Sequence, residues 1–211
     1  MRFFGLTPEA IQARARPGER PVERTLGAAM GQAALGFGGV SVLAYSIWAY
    51  RLIPGEGAMY AVIALVYLGL GGVVLGRLLP GPGSAGRFAL LFVVAFGAYA
   101  ALWCAAWFGL RGKHHADLWG AAAGLAAMTW LLRRALGASE GGGTAWAVLF
   151  TCHTLGYTLG EEAHGLLRGV TGRLLWGLGH GLGFGAGLGY LLHRFQSPLR
   201  SGGREKGGPD A

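Results

Sequence analysis

The sequence predicts an all-α membrane protein, a bundle of six transmembrane helices with both termini in the cytoplasm. Three observations carry this. Six long apolar segments are separated by short stretches that hold most of the Arg and Lys. Only 13% of the 211 residues are charged and 53% are hydrophobic, with a mean hydropathy of +0.43, whereas a soluble domain carries about 25% charged residues. Glycine, commoner in membrane helices than in soluble ones, occurs 41 times.

The segments run from Leu26 to Tyr50, Ala58 to Leu79, Phe88 to Leu110, Asp117 to Leu136, Thr144 to Leu167 and Leu174 to His193. Each is long enough to cross a hydrocarbon core of about 30 Å at about 1.5 Å per residue. Helices are required, because lipid satisfies no exposed backbone group and barrel strands would be about 10 residues long and alternating. Arg133 and Arg134 fall in the last turn of the fourth segment, where their side chains snorkel to the interface.

Six crossings put both termini on one side. That side holds thirteen of the 18 Lys and Arg residues, and the other holds Arg51, Arg111, Lys113, Arg168 and Arg173. The excess marks the cytoplasmic face and predicts a multi-pass protein of the cell inner (cytoplasmic) membrane. Three parts are expected: residues 1–25 as a cytoplasmic segment with a short interfacial helix, 26–196 as the transmembrane domain, and 197–211, Gly-rich and charged, as a disordered cytoplasmic tail. Thr7-Pro8-Glu9 reads as an N-cap followed by proline at the first helical position. A helix near residues 8–15 would then lie on the membrane with Phe3, Phe4 and Ile11 touching lipid.

The net charge of +8 and pI of about 10.1 would suggest nucleic acid in a soluble protein. Here the basic residues flank apolar spans, so the expected partner is the lipid bilayer with its anionic head groups, not nucleic acid. Other membrane helices or a second copy of the chain are further expected partners. Cys104 and Cys152 lie inside apolar segments at different depths, form no CxxC, and read as small buried hydrophobes without a mutual disulfide.

The sixth segment has the strongest local pattern. On a helix, Gly177, Gly181, Gly185 and Gly189 form one smooth groove. Gly179, Gly183 and Gly187 form a second, about 160° round the axis. Small residues at this spacing let helix backbones approach closely, so the segment is expected to sit between two neighbours.

Charged and imidazole side chains at membrane depth are costly and face a bundle interior or water. In the fifth segment His153, Tyr157, Glu161 and His164 share one face, at spacings of four, four and three. His180 in the sixth lies at a depth similar to Glu161, and a loop of about six residues makes the two helices antiparallel neighbours, so Glu161 and His180 are expected to meet. The loop before the fourth segment adds His114, His115 and Asp117. Three readings stay open: a structural ion pair; an outer-leaflet site built from Glu161, His164 and His180, with His153 and Tyr157, that handles a proton, a metal ion or a small solute; and a single haem on a helix-borne histidine. A non-catalytic scaffold or accessory subunit that packs through its glycine-rich helices is the alternative to any site. No HExxH, GxSxG, P-loop or CxxCH occurs, so the sequence names no reaction and no cofactor.

Overall fold

The computed structural model describes residues 4–14 and 24–196, and among these the chain is helical with no strand. The expected tail at 197–211 and Phe3 lie outside the described residues. We number the helices α1 (Pro8–Gln12), α2 (Leu26–Ala49), α3 (Glu56–Gly76), α4 (Ser84–Gly109), α5 (Ala116–Leu136), α6 (Gly142–Leu167) and α7 (Gly169–Phe195). Helices α2, α3 and α4 are long and apolar enough to cross a membrane. Helices α5, α6 and α7 are also long, at 21, 26 and 27 residues, but carry more charged and imidazole side chains.

The six long helices pack in chain order, each against the next, and α7 closes on α2. At the end of the bundle that holds Leu26 and Phe195 the interior is filled by apolar side chains, among them Phe37, Phe88, Phe92, Leu125, Met128, Phe184 and Leu188, all fully buried.

Local chemistry sets the helix ends. Thr25 caps α2 by accepting the Ala28 N–H at 3.2 Å, and Thr7 caps α1 by accepting the Ala10 N–H at 3.4 Å. Gly137 ends α5 in the left-handed region at φ 72°, the usual glycine stop. The six-residue loop expected between the last two segments is reduced to one residue, Arg168, at φ 49°. The turn is this tight because Gly172 lies against His164, where an added Cβ would come within 3.1 Å of its Cα.

Helix α1 departs from the expected lipid contact. Ile11 and Leu6 are buried, and Phe4 packs against the core. A Cβ on Gly81 would lie 3.0 Å from Ile11 Cγ2, and one on Gly137 would lie 3.2 Å from Pro8 Cδ. The segment plugs the bundle end between the α3–α4 turn and the end of α5, because apolar surface there is covered better by protein than by an interface. Cys104 also differs from its expectation. It is exposed, Cys152 is half-buried, and both are free thiols.

Helix α7 lies against α2 on one side and α6 on the other. Toward α2, a Cβ on Gly177 would sit 2.6 Å from Tyr45 Cγ, on Gly181 2.9 Å from Gly38 Cα, on Gly185 2.8 Å from Ala34 Cα and on Gly189 2.8 Å from Met30 Cα. Toward α6, a Cβ on Gly179 would sit 3.2 Å from Gly160 Cα, on Gly183 2.9 Å from Gly156 Cα and on Gly187 2.8 Å from Leu149 Cα. Backbone meets backbone on both faces, and no side chain larger than hydrogen fits.

Candidate functional site: an aromatic chamber with a histidine pair

A cavity of about 440 Å³ opens in the half of the bundle away from Leu26 and Phe195, and all six long helices line it. Helix α2 contributes Tyr45 and Trp48, α3 Tyr60 and Tyr67, α4 Phe96, Tyr99, Trp103 and Cys104, α5 Asp117, α6 His153, Thr154 and Tyr157, and α7 Trp176 and His180. Nine of the lining side chains are Phe, Tyr or Trp, and no Lys or Arg is among them.

Residue spacing explains why α7 faces the chamber with large rings. At about 100° per residue, Trp176, His180 and Phe184 form a stripe between the two glycine faces. Phe184 does not line the cavity itself but packs behind two rings that do. Its ring centroid lies 5.0 Å from His153, 5.4 Å from Tyr99 and 5.3 Å from Phe37.

Helix α3 widens to a π-turn over Tyr67–Gly71, a form that recurs at functional sites. The turn sets the Tyr67 hydroxyl 2.6 Å from Ser41 Oγ, which itself donates to the Gly177 carbonyl at 2.6 Å. Ser41 has one proton and spends it on Gly177, so Tyr67 is the donor to Ser41. This chain ties α3, α2 and α7 together beside the cavity.

On the chamber wall above Phe184, His153 Nε2 lies 3.0 Å from the Tyr99 hydroxyl and 3.3 Å from His180 Nε2. A neutral ring nitrogen has either one proton or one lone pair. His153 Nε2 therefore shares a single bonding position between two partners. If both rings are neutral, the contact requires opposite tautomers, one Nε2–H facing one bare Nε2. Both Nδ1 atoms are buried without a partner, and tautomer bookkeeping makes one a donor and the other an acceptor. Protonating both rings would bring two cations together. The arrangement can pass a proton among Tyr99, His153 and His180.

The expected Glu161–His180 contact does not form. Glu161 is exposed and has no ion pair with His180, whose Nε2 is taken up by His153. The helices are neighbours as expected, but Gly156 and Gly160 of α6, and not Glu161, meet α7. Glu161 and Asp117 instead exert their charge on Tyr157. His164 stacks on Trp176 at 5.4 Å and 19° and lies edge-on to Trp48 at 5.7 Å. Glu161, His164 and His180 are thus not brought together. Of the expected residues, His153, Tyr157 and His180 line the chamber. Among the described residues, no group of three His, Cys, Asp or Glu side chains converges as metal ligands would. Two imidazole nitrogens 3.3 Å apart also leave no slot for a haem macrocycle between them.

Sequence reasoning missed Tyr99, Ser41, Tyr67, Tyr45 and Trp48. The available signal was the set of tyrosines inside apolar segments, each with a hydroxyl that needs a partner. No protein-family model, no curated protein and no solved structure matches this chain.

Proposed function

We propose that the chain is a six-span protein of the cytoplasmic membrane, with both termini in the cytoplasm, that binds a small organic solute in the aromatic chamber. The chamber itself carries this reading. Its volume of about 440 Å³ exceeds what a proton or a bare metal ion needs, and it lies in the class of concave, mostly apolar ligand sites with few polar groups.

The membrane part rests on the outer surface. Large apolar side chains are exposed on all six long helices, including Leu35, Leu65, Leu90, Trp130, Leu159 and Val170. Soluble monomers expose no apolar surface of this extent. The scaffold alternative loses support because both glycine faces of α7 are filled by α2 and α6 of the same chain.

Topology is tested by reporter fusions at Gly112 and at the C-terminus, which must report opposite sides of the membrane. Solute binding is tested by melting the purified chain with naphthalene. A ligand that binds only the folded state raises the melting temperature. The gain should vanish in Ala100→Trp, which fills the chamber from α4. An equal shift in wild type and Ala100→Trp would show that naphthalene acts elsewhere and would remove this function.

A further inference from the structure

We propose that the solute is an organic cation of the quaternary-ammonium class, held by the rings of Tyr45, Trp48, Tyr157 and Trp176 and neutralised by Asp117. The inference rests on the reading of the chamber as a binding site and adds the chemical class of the ligand.

The first observation is ring geometry. Tyr45 and Trp48 meet at 75°, Trp48 and Trp176 at 69°, Tyr157 and Trp176 at 66°, and Tyr45 and Trp176 at 59°, with centroids 5.5–6.1 Å apart. Rings at such angles make the corner of a box and not a stack. A flat neutral ligand is best served by parallel faces. A rounded cation is best served by several rings set around it, since the face of an aromatic ring is its negative side.

The second is charge. The one formally charged side chain lining the chamber is Asp117, a carboxylate. The two histidines add at most one positive charge, because their Nε2 contact at 3.3 Å is incompatible with two protonated rings.

The third is that a cation already rests on this wall. The Arg173 guanidinium carbon lies 4.7 Å from the Trp48 ring centroid. It is held outside the chamber lining by donating to the Trp48 and Ala49 carbonyls at 3.4 Å, where α2 ends. The negative end of a helix balances its charge there. The indole face is thus shown to accept a cation, and Arg173 does not fill the space inside.

The test compares benzyltrimethylammonium with its uncharged carbon isostere, neopentylbenzene, on the purified full chain in non-ionic detergent. Binding is read by calorimetry and by melting temperature. The cation should bind roughly tenfold or more tightly than the isostere, the scale of a few desolvated cation–π contacts. Asp117→Asn should cut that preference several-fold. Tyr157→Leu should cut it as well, by removing one ring face from a half-buried position. Equal affinity for the two compounds would overturn the cation and leave the solute chamber standing. Binding of neither would remove both. A preference for the cation that survives both Asp117→Asn and Tyr157→Leu would place it outside this cage and overturn the assignment.

Discussion

Two faces of α7 and the stripe between them follow opposite rules of packing. On the glycine faces, α2 and α6 approach until Cα atoms nearly touch, as Gly181 with Gly38 and Gly183 with Gly156 show. On the stripe of Trp176, His180 and Phe184, Trp176 and His180 line the open chamber and Phe184 stacks behind His180. Without side chains the helices close onto each other. With rigid rings they cannot, and the ring edges also carry the polar contacts of the site. Small residues at a contact let backbones approach closely, and helices packed this way are held by van der Waals contact over their whole length. The glycine contacts on either side give the open stripe a rigid frame.

The strongest way to break this contrast is to add bulk on the closed face. Gly183→Leu should cost about 3 kcal/mol or more, the upper end for overpacking, because the α6 backbone at Gly156 and not a movable side chain stands in the way. Gly39→Leu is the control. Nothing lies within 4 Å of a Cβ at Gly39, so that variant should melt at or above wild type. If the two variants melt alike, the close approach of α6 and α7 is not what holds the bundle.

A smaller effect is expected beside the open stripe. Ser41→Ala strands the buried Tyr67 hydroxyl, while the Gly177 carbonyl keeps its bond within the helix, and should cost about 1–3 kcal/mol. Pairing it with Tyr67→Phe should cost less than the sum of the single changes, since one stranded donor is then gone. Thermal melts of the three variants measure this, and strict additivity would show that Ser41 and Tyr67 do not bond.

The smallest effect sharpens the site. A double-mutant cycle between His153→Ala and His180→Ala should show a coupling of about 0.5–1.5 kcal/mol, the net worth of a hydrogen bond. The parallel cycle between Glu161→Gln and His180→Ala should be additive within about 0.5 kcal/mol. Reversed results would restore the Glu161–His180 pair and displace the histidine pair.

The helical class was legible, because apolar runs of this length admit little else at membrane depth. The contact faces of α7 were legible as azimuths, since seven alternate glycines fix two smooth sides. Their occupants were not, because α2 lies more than a hundred residues away in sequence. The site was legible only in part. His153 and His180 stand out as imidazoles in apolar segments. Their direct meeting depends on the rotation of α6 about its own axis, and the glycines at 156 and 160 set that rotation by presenting themselves to α7. The expected Glu161 contact assumed that depth alone decides pairing. Tyr99 escaped notice because a tyrosine in an apolar span looks like packing until its partner is known.

The π-turn in α3 has a consequence for how this chain tolerates insertion and deletion. A π-turn is an α-helix with one extra residue, and the segments before and after it keep the facing they would have without that residue. Removing one residue from Leu68–Leu70 would leave Tyr60 and Ile63 facing the chamber and Gly72 and Gly76 against α4, joined by a regular helix. The same deletion in the middle of α6 or α7 would turn everything beyond it by about 100° and bring side chains onto the glycine faces. Among the long helices, α3 is therefore where a sequence one residue shorter can keep the same bundle, and what it would lose is the local turn that presents Tyr67 to Ser41.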